Sequence, residues 1–283
     1  MSNTKQNQHS YYQLATTLLF LAGALIYCQG IVSLSRQSVW FEFMITIVVL
    51  LIAIPIFQKS ENFKDVKRLI ILETGFNIIC LVAKVSPLEE GKWSMALDIA
   101  FSVFFIFQIG GFIGSQIKSK NWRCLPSSIA LGIGLLFWNA HGSGTSITVH
   151  NELQFWGGNT PKALQFVYLF WLLNLLFVEY RSLLPKLTLA SVHLASFIIA
   201  FSSEEFFHAR ILTASHLVIL NGIVIYKLQD WQGYDFSSIS IFKKMKENTQ
   251  YATFVATLFN ILTIGALLLY IITDLKITNV SST

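Results

Sequence analysis

The sequence predicts an all-α fold, a polytopic bundle of membrane-spanning helices. Of its 283 residues, 54% are hydrophobic and only 12% are charged, whereas soluble domains carry roughly 25% charged residues. The apolar residues lie in solid runs, although the strands of a membrane barrel would alternate apolar and polar residues. Helices follow, because lipid offers no partner for an unpaired backbone group and a helix pairs its own.

About nine hydrophobic segments have the length and composition expected for crossing a bilayer core of roughly 30 Å. Together they form a single transmembrane domain, 12–273, between a polar N-terminal tail, 1–11, and a polar C-terminal tail, 274–283. The predicted spans are 12–33, 40–57, 67–86, 94–115, 125–141, 163–180, 187–203, 209–227 and 251–273.

The segments differ in how strongly the sequence marks them. The first two contain the runs LATTLLFLAGALIYC and MITIVVLLIAIPI, and the ninth is apolar throughout 252–272. Gly110, Gly111 and Gly114 in the fourth segment predict a face for close helix contact. The fifth, sixth and seventh are shorter or more polar, and the eighth starts with charged residues. All prolines lie at or near span ends, which predicts continuous helices: Pro55, Pro87, Pro126, Pro161 and Pro185.

The lysines and arginines predict the orientation. With nine spans, 14 of the 20 fall on the side of the N-terminus and 6 on the other side. The positive-inside rule therefore places the N-terminus in the cytoplasm and the C-terminus outside. The net charge of +5 is explained by this bias and by contact with lipid headgroups. We expect the lipid bilayer as partner, no nucleic acid, and, from the compact joints, a bacterial inner (plasma) membrane.

Ionisable side chains at membrane depth are expensive and by default mark function. Most of those in this chain fall in the predicted outer half or in the outer loop 142–162, while two lie nearer the cytoplasm. The outer set is Lys84, Asp98, His141, His150, Glu204, Glu205, His208, Arg210 and His216, and the inner pair is Glu73 and His193.

Glutamate and histidine side chains are concentrated in the segment 202–221, SSEEFFHARILTASHLVILN. On a helix, Glu205 and His216 share one face and His208 lies about 60° away. Such a face can bind a single zinc or iron ion, or it can supply a general acid or base. The alternatives are a hydrated, salt-bridged helix start and a hydrogen-bonded structural histidine. The chain contains no HExxH, HxxxH or paired CxxC motif.

Three functions stay open at this point. The first is a membrane-embedded enzyme that acts on a lipid or other apolar small-molecule substrate, with Glu205, His208 and His216 as catalytic residues. The second is a transporter or permease whose path is lined by polar residues at both depths, including Glu73, Asp98 and His193. The third is a non-catalytic membrane subunit or assembly factor, which would account for the absence of a strong motif.

Overall fold

The computed structural model describes residues 2–57, 63–86, 92–142, 144–179, 187–227, 244 and 247–274. It is mostly helical, at 85%. The described α-helices are α1 Ser2–Gln37, α2 Val39–Phe57, α3 Phe63–Val85, α4 Lys92–Lys118, α5 Leu125–His141, α6 Lys162–Asn174, α7 Leu187–Ser202, α8 Phe206–Lys227 and α9 Thr249–Thr273.

Each predicted span overlaps one of these helices, and the fifth has the predicted bounds. Local sequence signals set several of the ends. Pro126 stands in the first turn of α5, where its missing N–H costs no hydrogen bond. Asn248 caps α9, because its side-chain oxygen accepts hydrogen bonds from the backbone N–H groups of Gln250 and Tyr251. After Asn174 the chain continues as a π-helical segment, Leu175–Glu179.

Four of the described helices are long and apolar enough to cross a membrane. They contain the stretches Leu18–Gln37, Trp93–Lys118, Lys162–Glu179 and Thr249–Thr273. Shorter apolar stretches occur in α2, α3 and α7. The chain is thus a helical bundle with several membrane-compatible helices. Nine crossings and the orientation of the termini stay predictions.

The structure describes the two predicted polar tails to different extents. The first helix begins at Ser2, so most of the polar segment 1–11 is helical, and its role as a tail outside the membrane stays a prediction. A polar sequence that leaves the bilayer can remain helical, because water satisfies its side chains. All of the predicted C-terminal tail except Asp274 lies outside the described residues.

The contacts divide the chain into two compact units. The first unit comprises 1–88, 147–154 and 183–242, and it holds α1, α2, α3, α7 and α8. The second unit comprises 89–146, 155–182 and 243–283, and it holds α4, α5, α6 and α9. The single transmembrane domain 12–273 stays a prediction beside this grouping.

In the first unit, α1 packs against α7, and α7 against α8, while α3 contacts both α2 and α8. The core between them mixes small and aromatic side chains with polar ones. Cys28, Phe76 and Ala195 are fully buried there. The buried polar side chains of this unit form the candidate site described below.

In the second unit, α9 lies against α6 and α5, and α4 lies against α5. Neutral polar side chains connect these helices. Asn174 Nδ2 donates to Ser127 Oγ and to Asn260 Oδ1, both at 2.9 Å. Asn260 Nδ2 donates in turn to the carbonyl oxygen of Arg123 at 2.8 Å. Amide and hydroxyl groups of this kind stabilise contacts between helices at membrane depth.

The predicted outer loop has structure of its own. It contains a short two-stranded ribbon, in which β1 Ser146–Ile147 pairs with β2 Leu153–Gln154. Beyond it Trp156 is buried with φ of 49° and ψ of 42°, a left-handed conformation uncommon for a bulky residue. Its ring packs edge-to-face on Trp138, with centroids 4.7 Å apart.

The packing around the glycines of α4 differs from the close helix contact that the sequence predicts. A Cβ added at Gly110 or at Gly114 would meet no atom within 4 Å. Neither glycine therefore provides the close helix contact that their spacing predicts. Spacing along one helix cannot show which face a second helix covers.

Gly142 supplies a test of the packing around Trp156. A Cβ at Gly142 would stand 2.2 Å from the backbone oxygen of Trp156, so one of the two backbones must shift. We expect Gly142→Ala to lower the free energy of unfolding by about 2 kcal/mol, as overpacking does. The measurement is thermal unfolding of the detergent-purified protein.

Gly158→Ala is the matched control, because a Cβ at Gly158 would meet nothing within 4 Å. Its unfolding temperature should stay close to that of the wild type. Equal unfolding temperatures for Gly142→Ala and the wild type would contradict the packing described here.

Candidate functional site

The candidate site of the first unit is built around a buried ion pair. Glu42, in the first turn of α2, is 1% exposed. Its Oε2 accepts a hydrogen bond of 2.5 Å from Nζ of Lys84, in the last turn of α3. The Lys84 side chain is equally buried. A charge removed from water this completely is tolerated only when it is paired, so the contact fixes the start of α2 against the end of α3.

His208, in the first turn of α8, is the third member of this group, which we call the Glu42 cluster. Its Nε2 lies 3.8 Å from Oε1 of Glu42, and the residue is 2% exposed. This distance is too long for a hydrogen bond. Neither ring nitrogen of His208 has a hydrogen-bond partner in the described part of the chain.

The loop segment 147–154 adds a second buried carboxylate to this end of the unit. Oε2 of Glu152 accepts a hydrogen bond of 3.1 Å from Arg36, at the end of α1. Asn151 Nδ2 donates to the carbonyl oxygen of Arg36 at 2.8 Å. The other oxygen of Glu152 is buried without a partner among the described residues. The loop is thus fastened to α1 by one ion pair and one hydrogen bond.

Glu205 lies in the link between α7 and α8 and is buried. Its Oε1 accepts a hydrogen bond of 3.1 Å from Gln154 Nε2. Burial raises the pKa of the Glu205 carboxyl to about 8; the hydrogen bond from Gln154 opposes the shift, and the negative charges of Glu152 and Glu204 add to it. A carboxyl with this pKa is mostly protonated at neutral pH and can donate a proton.

Further polar side chains follow His208 along α8, towards the C-terminus of this helix. Arg210 donates to Ser196 Oγ at 2.5 Å, and its second terminal nitrogen lies 3.1 Å from Nδ1 of His193. Ser196 also shares a hydrogen bond of 2.6 Å with Thr213. Because Ser196 and His193 belong to α7, these contacts join α7 to α8 through polar groups.

His216 lies two turns beyond His208 on α8 and faces α1. Its Nδ1 is 2.8 Å from the hydroxyl of Tyr27, while its Nε2 is buried and has no partner among the described residues. The two rings are tilted, with centroids 5.9 Å apart. This arrangement agrees with the alternative of a hydrogen-bonded structural histidine and leaves one ring nitrogen unused.

The three residues predicted as catalytic or metal-binding therefore take different partners. Glu205 contacts Gln154, His208 approaches Glu42, and His216 contacts Tyr27. Within the described ranges no group of three or more His, Cys, Asp or Glu side chains is arranged to bind a metal ion. The zinc or iron hypothesis therefore gains no ligand set and stays a prediction.

Two of the outer ionisable residues predicted from the sequence, His150 and Glu204, form an exposed pair. His150 Nε2 lies 3.5 Å from Oε1 of Glu204, and both side chains are more than half exposed. An ion pair in water contributes little to stability. The pair lies at the surface, outside the buried Glu42 cluster, and fits the hydrated helix start that the sequence also allowed.

Other candidates lie elsewhere. Asp98 belongs to the second unit, and its carboxylate accepts hydrogen bonds from the backbone N–H groups of Gly144 and Thr145 at 2.7 and 2.8 Å and from the Thr145 hydroxyl at 2.5 Å. It therefore anchors the start of the outer loop. His141 is exposed at the end of α5, with its ring bonded to the Phe137 carbonyl. Glu73 lies in α3, and its side chain is outside the described residues.

Glu42 is the site residue that sequence reasoning missed. It lies near the start of an apolar segment, where a carboxylate is ordinarily interpreted as a residue at the membrane–water interface. The orientation pattern contained the missing signal, because it places Glu42, Lys84 and His208 at the same end of their helices. A carboxylate and an ammonium at matching depth predict a pair, whereas the choice of partners needs the packing.

The site brings together groups of complementary proton chemistry. His208, whose two ring nitrogens have no hydrogen bond in the described part of the chain, lies beside a carboxylate that a lysine already neutralises. A carboxyl that is protonated at neutral pH lies three residues earlier in the chain, with its hydrogen bond to the loop. Histidine and raised-pKa carboxyl groups are the side chains that enzymes use to move protons near neutral pH.

Removing one member of the buried pair tests its energetics. Lys84→Met leaves the Glu42 carboxylate unpaired, so we expect the free energy of unfolding to fall by about 3 kcal/mol. The double variant Glu42→Leu/Lys84→Met removes both charges and should return to within about 1 kcal/mol of the wild type. Denaturant unfolding in detergent measures both, with exposed Lys118→Met as control. A double variant as unstable as the single one would refute the pairing.

The raised pKa of Glu205 predicts a pH dependence. The folded state holds the proton more tightly than the unfolded state, whose pKa is near 4.5. The contribution of this group to stability is therefore complete below pH 4.5 and is lost as the pH rises towards about 8. We expect Glu205→Gln to flatten this part of the stability profile, measured by unfolding temperature against pH. Glu204→Gln, at an exposed carboxylate, should leave the slope in place.

No protein-family model, no curated protein and no solved structure matches this chain. The proposals that follow rest on the contacts of its own side chains.

Proposed function

We propose that this protein is a membrane-embedded enzyme that performs acid–base chemistry on a lipid or another apolar molecule, with the Glu42 cluster as its reacting centre. The observation that carries the proposal is the state of His208. It is buried, its two ring nitrogens have no hydrogen-bond partner among the described residues, and a neutralised carboxylate stands 3.8 Å away. A buried polar group without a partner is costly unless something else occupies it.

In this proposal His208 is the general base or acid, because it takes or gives the proton of a bound substrate or water. Glu42 orients the imidazole and stabilises it when it becomes positively charged, a role that carboxylates have beside catalytic histidines. Lys84 is a positioning residue, since it binds the oxygen of Glu42 that faces away from His208. Glu205 is a protonated carboxyl close by along the chain and is the candidate second acid.

The substrate class follows from the surroundings. The site lies at the end of the first unit where α1 and α3 end and α2 and α8 begin, and the helices around it carry apolar outer faces. A molecule whose apolar part stays in the bilayer can present its polar group at such an end. By the positive-inside pattern this end faces the outer side of a bacterial plasma membrane, which we include in the proposal.

A second candidate is a proton-coupled transporter. It is favoured by the polar side chains that follow His208 along α8, because Arg210, Thr213 and His216 are buried and each contacts a neighbouring helix. Buried ionisable groups that continue into a helix bundle are typical of proton and substrate paths.

His208→Asn is the test of the enzyme. Purified protein is reconstituted into vesicles of a total polar lipid extract, and the lipids are compared by mass spectrometry before and after incubation. We expect the wild type to convert at least one lipid species and His208→Asn to lower the rate by about 100-fold or more, the usual contribution of a general acid or base. Lys118→Gln, at an exposed residue of α4, is the control.

The amount of folded protein, from size-exclusion chromatography, separates lost chemistry from lost folding. If the wild type changes no lipid but the vesicles show proton uptake that His216→Phe abolishes, the enzyme is ruled out in favour of the transporter. If His208→Asn retains the wild-type rate of lipid conversion, His208 is not the acid–base residue.

A further inference from the structure

Glu152 supplies a second buried hydrogen-bond acceptor at the end of the first unit that holds the Glu42 cluster. The residue is 1% exposed, and the hydrogen bond from Arg36 occupies its Oε2. Its Oε1 is buried and has no hydrogen-bond partner among the residues that the structure describes. Because an unpaired buried carboxylate oxygen is costly, a donor brought by a bound molecule would be stabilised at this atom.

The contacts of the outer loop place Glu152 close to His208. Gln154, two residues after Glu152, donates to Oε1 of Glu205 at 3.1 Å. His208 follows Glu205 by three residues, and the hydrogen bond of 3.1 Å from Ala209 N to the Glu205 carbonyl oxygen closes a helical turn between them. Glu152 also interacts electrostatically with both Glu205 and His208. The two buried side chains with unpaired polar atoms therefore belong to one site.

The hydrogen-bonding capacity of these two side chains indicates what binds between them. A carboxylate oxygen only accepts hydrogen bonds, and a neutral imidazole has one accepting nitrogen. A molecule with two O–H donors therefore satisfies Glu152 and His208 together. Water is the smallest such molecule and needs a space of only about 10–15 Å³, which suits side chains that are 1% and 2% exposed.

The charges at this end favour an acyl ester as the group that such a water molecule attacks. Arg36 and Lys84 each already face a carboxylate. Enzymes that attack phosphate esters direct cationic groups at the charged phosphoryl oxygens. An acyl ester is uncharged and lies where the head group of a bilayer lipid meets its chains, so it needs no counter-charge to enter a buried site.

Building on the enzyme proposed above, we propose that Glu152 is a further catalytic residue and that the reaction is the hydrolysis of an acyl ester of a bilayer lipid. One O–H of the water donates to Glu152 Oε1 and the other to a ring nitrogen of His208. The imidazole takes a proton as the water oxygen forms a bond to the ester carbonyl carbon. The bond from that carbon to the alcohol oxygen then breaks, and the leaving oxygen takes the proton from the imidazole. The products are a fatty acid and an alcohol.

Isotope labelling of the wild type tests the reaction. The full-length protein is reconstituted into vesicles of a total polar lipid extract in water enriched in oxygen-18, and the products are analysed by mass spectrometry. We expect released fatty acids that each carry one oxygen-18 atom, at the enrichment of the water. Oleic acid incubated in the same water without protein is the control for spontaneous exchange.

Glu152→Gln tests the residue. When the amide oxygen accepts the hydrogen bond from Arg36, the NH₂ group faces the water and cannot accept from it. We expect the rate of fatty-acid release per folded protein to fall by about 30-fold, as for a lost hydrogen bond to a charged group. The dependence of the rate on lipid concentration should stay unchanged, because Glu152 contacts the water and not the lipid. The matched control is Glu247→Gln, the same change at an exposed glutamate of the second unit.

The outcomes separate this inference from the proposed enzyme. Lipid conversion whose products carry no oxygen-18 would overturn hydrolysis and leave the enzyme in place, whereas no lipid conversion by the wild type would overturn both. A folded Glu152→Gln that releases fatty acid at the wild-type rate would overturn the role of Glu152. Unfolding temperatures are the folding control. If Glu152→Gln fails to fold, Glu152→Asp replaces it, since it keeps the charge beside Arg36 and withdraws the carboxylate from the water, and the same loss of rate is expected.

Discussion

The Glu42 carboxylate is shared between Lys84 and His208, and the arrangement of the first unit depends on this sharing. Burying a carboxylate and an ammonium costs several kcal/mol per ion unless each has a partner in good geometry. The three residues come from the first turn of α2, the last turn of α3 and the first turn of α8. These ends must therefore meet for the pair to be tolerated, whereas apolar packing alone would allow the helices to slide.

The pairing around this point also limits where chemistry can occur. Arg36 neutralises Glu152 and fastens the loop segment 147–154 to α1, while Gln154 holds the carboxyl of Glu205. Glu42 and Glu152 thus each have a basic side chain beside them, Lys84 and Arg36. Neither ring nitrogen of His208 has a hydrogen bond among the described residues, and a histidine in this state is able to exchange a proton with a bound molecule.

In the second unit, hydrogen bonds between neutral side chains connect the described helices. Its described helices are joined by amides and hydroxyls, as in the bonds of Asn174 and Asn260, and its carboxylate Asp98 is saturated by loop donors. Neutral pairs avoid the desolvation cost of ions.

The sequence by itself predicted a mostly helical chain and the approximate position of each described helix, because apolar runs and proline positions are local properties of the chain. It also marked His208, Glu205 and His216 as chemically unusual. Only the tertiary structure decided that these three take different partners, that Asp98 anchors a loop, and that Glu42 lies between Lys84 and His208. The physical reason is that side-chain convergence depends on the rotation and depth of each helix relative to its neighbours, and no local pattern encodes either one.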